Sequence, residues 1–171
     1  MNREQILSIL YDLSLTIGSE IHLGSLLKKT LQRLLFHTSF PAGVIFVEQE
    51  EQESGISARL TVAIGDYLLV ERCGERFNLP AGLLGSKVEL LANAELLAPL
   101  SLDRNYTHSL RLPIDAHSSI LLLSPVPADD SLPLTRIFQP VLANLAKSIT
   151  LCRNNERLTQ ALAADRDDAR A

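Results

Sequence analysis

Apolar residues recur along the first forty positions in steps of three and four. Ile6, Leu7, Leu10, Leu13 and Ile17 mark a first helix of about four turns that stops at Gly18-Ser19. Leu26, Leu27, Leu31, Leu34 and Leu35 mark a second, preceded by His22 and Gly24 and ending near Ser39, ahead of Pro41. The period then changes. Ala42 to Val47 is apolar at both parities, as expected of a strand covered on both faces. The acidic run Glu48 to Ser54, closed by Gly55, reads as a solvated hairpin loop leading into a strand from Ser57 to Ile64. Gly65-Asp66 reads as a turn into a third strand, Tyr67 to about Cys73, so that three sequential antiparallel strands are predicted.

From Gly74 to Asn105 the pattern is broken by Pro80, Gly82, Gly85 and Pro99, with short apolar pieces such as Val88 to Leu91, and predicts an irregular insert. Alternation returns at Tyr106 to Ile114 and Ser118 to Ser124, two strands joined by Asp115-Ala116-His117. Pro125, Pro127 and Asp129-Asp130 interrupt the chain. Leu132 to Ala171 then reads as one helix, apolar at first and charged towards its end. Pro140 to Arg170 alone would measure about 45 Å, longer than a small domain is wide. The division predicted is a domain over 1–152 and a helical extension over 153–171.

Composition narrows the class. The 171 residues suit one domain, and an apolar fraction of 46% is ordinary for a globular core. Sixteen basic residues against twenty acidic ones give a formal charge of -4, with no basic block to follow a phosphate backbone, so nucleic acid is not an expected partner. Cys73 and Cys152 are distant and unaccompanied, which argues against metal spacing or a disulfide framework and for two reduced thiols in cytoplasm. The first residues, Met1 to Gln5, lead straight into amphipathic pattern and read as the start of a folded protein rather than a leader. No run of about eighteen apolar residues is present, so no membrane span is expected in this chain.

Four landmarks in order carry a family resemblance: Ser25-Leu26-Leu27-Lys28-Lys29-Thr30-Leu31, Ala42-Gly43-Val44-Ile45-Phe46, Leu110-Arg111-Leu112-Pro113-Ile114 leading into Ile120-Leu121-Leu122-Leu123, and Val141 to Ile149. Over nearly its whole length the chain resembles a GAF domain, of the kind found in bacterial sensor histidine kinases and diguanylate cyclases. The resemblance implies an α+β fold, PAS-related, with a central antiparallel sheet. N- and C-terminal helices would cover one face, and the irregular insert would cover the other and roof the family's ligand cavity. A PAS-type domain usually has helices between its second and third strands. The Gly65-Asp66 turn leaves no room for them, which favours GAF. Leu158 to Ala171 resembles the signalling helix joining such domains to their outputs.

The family's known chemistries can be checked against these residues. Catalysis by a nucleophile needs a base within reach, and His22, His37, His108 and His117 accompany no GxSxG elbow and no catalytic Cys motif. The GAF-fold methionine sulfoxide reductase works through clustered cysteines, whereas Cys73 falls on a predicted strand and Cys152 on the distant helix; no enzyme activity is expected. A covalent bilin is disfavoured because the insert has no cysteine. The Asn-Lys…Phe…Asp-Glu signature of cyclic-nucleotide binders is absent. Haem would need an axial His facing the cavity, for which His108 is the one candidate, and a strand histidine is more often an ordinary hydrogen-bonded residue. The cofactor is therefore left unknown.

Alternation places Tyr106, His108, Leu110 and Leu112 on one face and Thr107, Ser109 and Arg111 on the other. Ligand-binding candidates are Arg72, Arg76, Arg104, Tyr106, His108 and Arg111, whose guanidinium groups would favour an anionic or carboxylate ligand. The insert's leucines would either close an apolar pocket or fill it. On the last helix, Leu142, Leu145, Ile149 and Cys152 step by three and four as at a and d positions, while Leu151, Leu158 and Leu162 lie off that seam. Those residues predict a signalling helix and a parallel homodimer through the first and last helices. The function expected is a non-catalytic sensor domain, cytoplasmic. It would bind a small molecule or partner and bias an output kinase or cyclase domain, in two-component or cyclic-di-GMP signalling. The alternatives are a constitutive dimerisation module with a filled cavity and a small enzyme on the same fold.

Overall fold

The computed structural model describes residues 3–128 and 133–170, of the last four only the backbone. Its centre is a pair of strands, β1 (Ala42–Gln52) and β6 (Ser119–Ser124), antiparallel and apolar on both faces. Around them a six-stranded antiparallel sheet runs in the order β3-β2-β1-β6-β5-β4, with β2 at Gly55–Ile64, β3 at Arg76–Leu79, β4 at Glu89–Leu91 and β5 at His108–Pro113. Strand alternation sends Ile45, Leu110, Leu112, Ile120 and Leu122 to one side, where α1 (Arg3–Gly18), α2 (Leu23–Thr38) and α5 (Gln139–Arg170) cover them. Val44, Phe46, Leu60, Leu121 and Leu123 face the other side, beneath the insert. The predicted α+β arrangement, helices on one face and insert on the other, is the one observed.

Several predicted boundaries shift. The acidic run is strand rather than loop: β1 continues to Gln52 and β2 begins at Gly55, leaving Glu53-Ser54 as the turn. Its charge is paired across the sheet as well as solvated, since Glu48 accepts from Arg59 at 2.6 Å. A register shift between Val47 and Glu50, with Glu48 at φ 53°, marks a bulge that pattern alone does not reveal. Tyr67 to Cys73 is not a strand. Tyr67–Glu71 forms a one-turn helix, α3, because Asp66 caps it, its carboxylate accepting from the amides of Leu68 at 3.1 Å and Leu69 at 3.3 Å. Cys73 lies in the following turn and is exposed. The third strand comes later, at β3, so a short helix does separate strands two and three and that argument against a PAS-type order loses its premise.

At the C-terminal end, the single predicted helix is two. Leu134–Ile137 forms α4, the chain breaks at Phe138, and α5 starts at Gln139. Pro140 supplies the reason: it has no N–H to offer the Arg136 carbonyl and its ring would collide with it. The predicted start at Leu132, the Asp129-Asp130 breaker and the final Ala171 lie outside the described residues.

Two polar contacts lock the helical layer together. On α1, Asp12 accepts from Arg33 Nε and contacts His37 Nε2, each at 2.7 Å, and the His37 hydrogen bond chiefly, with Arg33, holds its carboxyl below the usual carboxylate range. No side chain of its own caps α2. The cap comes from α5, where Glu156 accepts from the Leu23 amide at 3.0 Å.

Gly65 sets the corner from which α3 and Asp66 start. Its φ is +85°, and a Cβ there would stand 2.1 Å from the Pro41 carbonyl oxygen. We therefore expect Gly65→Ala to lower stability in chemical denaturation by at least about 2 kcal/mol, combining left-handed strain with a backbone clash. Gly24→Ala, in open space on α2, should change it by less than about 1 kcal/mol.

Candidate functional site

The face beneath the insert, where a cavity is expected, is filled. Phe46, Leu60, Leu69, Phe77, Leu79 and Leu97 pack there with Leu121 and Leu123, all buried, and Phe46 meets Phe77 edge to face at 5.7 Å. Among these apolar groups sit a few polar ones. Asp66 and Tyr106 are 2% and 1% exposed, and the Tyr106 hydroxyl donates to Asp66 Oδ2 at 2.5 Å. Asp66 thus accepts from two helix amides on one oxygen and from the phenol on the other. Burial, and then the Asp66 carboxylate, push the Tyr106 hydroxyl far above its ordinary value. Ser109 Oγ and Ser119 Oγ, one on β5 and one on β6, are buried without a hydrogen-bond partner.

Arg111 projects to the same face and is 7% exposed. It donates through Nε to the Lys87 carbonyl at 3.0 Å, through Nη1 to the Gly82 carbonyl at 2.9 Å and through Nη2 to Glu89 at 2.8 Å. Gly85 passes so close that a Cβ there would lie 3.0 Å from the guanidinium carbon. Three of its five donors are spent strapping the insert to the sheet, and Glu89 offsets the charge.

The remaining candidates disperse. Arg72 is the exposed residue ending α3. Arg76 lies on β3 and binds Ser57 Oγ at 3.0 Å and the Glu48 carbonyl at 2.9 Å on the exposed edge of the sheet. Arg104 is exposed, close enough to Tyr106 to act on its hydroxyl. His108 has the parity of Leu110 and Leu112, on the helix side rather than the insert side, with Nδ1 2.7 Å from Thr107 Oγ1; it does not face the place a haem would need. Tyr106 precedes β5 instead of belonging to it. It therefore escapes the predicted alternation and joins Ser109 and Arg111 on the insert side. Asp66, which sequence reasoning treated as a turn residue, was detectable as an Asp directly before an apolar run.

An open cleft does exist, at the end of the sheet instead of on its face. Its volume is about 760 Å³, and it is bounded by Gln49 and Glu51 of β1, Ser86 of the insert, Asp115 of the β5–β6 turn, and Gln139 and Leu142 at the start of α5. Among the described residues no group of three or more His, Cys, Asp or Glu could hold a metal ion, and no helix is long and apolar enough to cross a membrane.

On the last helix the predicted seam turns inward. Leu142, Leu145, Ile149 and Cys152 are buried in the domain's own core, whereas Leu158 and Leu162 are 64% and 63% exposed.

Two predictions follow from the buried polar groups. Tyr106→Phe should cost about 1–3 kcal/mol by leaving Asp66 Oδ2 without its donor. Because the folded-state pKa of Tyr106 lies above the ordinary value near 10, the folded form holds its proton longer, and its stabilising contribution, intact below that value, is lost progressively as pH rises from there towards the folded-state value. Wild-type stability should therefore fall more steeply above about pH 10 than that of the phenylalanine variant, as read by urea titration. Arg111→Met should cost about 2–3 kcal/mol and expose the insert near residues 82–89 to limited proteolysis.

No protein-family model matches the sequence. No curated protein matches it. Solved structures do. The GAF domain of a phosphoenolpyruvate-protein phosphotransferase from Coxiella burnetii superposes with a TM-score of 0.70 at 17% identity, covering 92% of this chain and 99% of that one. The GAF domain of an Acinetobacter phosphoenolpyruvate-protein phosphotransferase gives 0.66 at 17% identity over 90% and 97%. That of a proposed sensor histidine kinase from Pseudomonas syringae pv. tomato gives 0.59 at 17% identity over 95% and 94%. Across almost its entire length, this chain has the GAF fold.

Proposed function

We propose that the chain is a non-catalytic regulatory domain whose output passes along α5 to a further domain, with two copies acting together through their first and last helices. One observation carries the reading. Only the first part of the 32-residue α5 is packed on the domain; past Glu156, which caps α2, every described side chain is exposed. The segment beyond that contact extends about 21 Å, and such a segment stabilises nothing in the domain that makes it. A regulatory role is also in keeping with the proteins that share the fold, and the domain would work inside the cell, in a longer parent carrying a kinase or cyclase output.

The filled insert face favours a module that responds through its partners over one that encloses a small molecule, because a ligand there would have to displace buried leucine and phenylalanine side chains. Tyr106 and Arg111 are then supports for the insert rather than parts of a ligand site. The cleft favours a second reading. It is open, its polar lining is rich in acceptors, and it touches the first turn of the helix that would carry the output, so a small molecule bound there would act on α5 directly.

Fusion of the chain to a heterologous histidine-kinase catalytic region tests the relay. Lengthening the junction after Arg170 one residue at a time should make autophosphorylation rise and fall with a period of seven, by threefold or more between extremes. A flat or steadily falling dependence would sink the relay. A thermal-shift panel of nucleotides, haem, small carboxylates and amines separates the two ligand readings, since binding to the folded state raises the melting temperature by mass action. The filled-interior reading expects no response above about 1 °C; a larger, saturable rise that Ala143→Trp abolishes would assign the ligand to the cleft.

A further inference from the structure

A cleft of about 760 Å³ at the end of the sheet has the size of a small-molecule site. Resting on the second reading above, that this cleft is where a ligand binds, we infer that it takes a small organic cation, an ammonium group carried on a short apolar body. The charged part of its lining consists of two carboxylates, Glu51 on β1 and Asp115 in the β5–β6 turn, and among the described residues it includes no lysine, arginine or histidine. Asp115 accepts from the His117 amide of its own turn at 2.8 Å. Other acids of this sheet are answered by arginines: Glu48 meets Arg59 and Arg76, Glu50 lies 3.9 Å from Arg76, and Glu89 meets Arg111. Glu51 and Asp115, the two that border the cleft, have no such partner among the described residues.

That imbalance selects the charge of the occupant. An anion entering the cleft would meet two negative charges and no counter-charge in the wall. Arg111 comes near, against Gly85, but its guanidinium already donates to Glu89 and to the Gly82 and Lys87 carbonyls. A neutral ligand would strip water from both carboxylates and return no charge to them, and carboxylates losing water need an opposite charge or hydrogen-bond donors in exchange. An ammonium group supplies both, with a positive charge and three donors. The wall is also short of donors at Gln49, which borders the cleft and whose Oε1 is buried without a hydrogen-bond partner. The rest of the lining sets the body of the ligand. Ile56, Leu84, Pro113, Ile114 and Leu142 are apolar, so a chain or ring attached to the ammonium finds contacts there that a bare ion would not.

The test uses the whole chain, isotopically labelled and titrated near neutral pH with hexylamine, hexanol and hexanoate. These probes share one apolar body and are positive, neutral and negative. Amide resonances of Glu51, Ile56, Asp115 and Ala143 should shift saturably with hexylamine, with binding about tenfold weaker for hexanol and weaker still for hexanoate. Glu51→Gln with Asp115→Asn should weaken hexylamine by about tenfold and erase its advantage over hexanol, while Ala143→Trp should block every probe. Glu53→Gln, in the β1–β2 turn outside the lining, should change nothing. Hexanol or hexanoate binding as tightly as hexylamine, or a double variant that holds hexylamine as well as the wild type does, would overturn the cation and leave the cleft standing as a ligand site. Silence from all three probes would overturn the inference, and silence from the wider thermal-shift panel as well would take the cleft reading with it.

Discussion

Burial of β1 and β6 on both faces is the constraint from which the rest of the molecule follows. Ala42, Val44 and Phe46 point one way and Gly43 and Ile45 the other, and β6 repeats the division with Leu121 and Leu123 against Ile120 and Leu122. A two-faced apolar sheet needs two covers. Three helices provide one of them, with ordinary amphipathic logic and with Gly43 letting α2 approach until a Cβ there would meet Leu31 at 2.8 Å. The other cover is the insert, and it has little regular structure with which to satisfy its own backbone.

The insert is consequently held by side chains. Arg111, rising from the sheet, donates to the Gly82 and Lys87 carbonyls of that segment and to Glu89, which offsets the charge. Tyr106 and Asp66 do the same work at the other end, joining the loop before β5 to the cap of α3. These polar groups occupy the face on which a ligand-binding member of the fold would place its recognition chemistry. Here they hold a packed interior shut. Ser109 and Ser119, on the neighbouring strands β5 and β6, are buried there without a hydrogen-bond partner among the described residues.

What could be read from the sequence follows from the same division. Elements whose burial is periodic were legible: α1, α2, β1, β2, β5, β6 and the last helix all carry their pattern in the residues that face the core. Elements decided by a single polar contact were not. Asp66 turns Tyr67–Glu71 into a helix against the β-forming preference of Tyr67 and Val70, both of which end up exposed. Glu48, paired with Arg59, sits at the bulge past which β1 runs on through the acidic segment, and Pro140 divides the final helix through a carbonyl four residues earlier. The site suffered more than the fold, because Arg76 and Arg111 were placed near the right surface while their partners, backbone carbonyls and carboxylates brought in from distant segments, leave no trace in local spacing. Tyr106 changed sides for the simplest reason: it lies before the strand whose alternation was used to place it.

The last helix shows how one cylinder can serve two masters. Its inner stripe, through Leu145, Ile149 and Cys152, is fixed by the sheet and the α1–α2 corner, and its outer stripe, through Leu151, Leu158 and Leu162, begins before the inner one ends. Between residues 149 and 152 the two stripes share a single turn. A helix is stiff over that length, so a rotation imposed by the domain on the inner stripe must appear as an equal rotation of the outer one. The overlap of the stripes, rather than the length of the helix, is then what would let the domain bias whatever follows it.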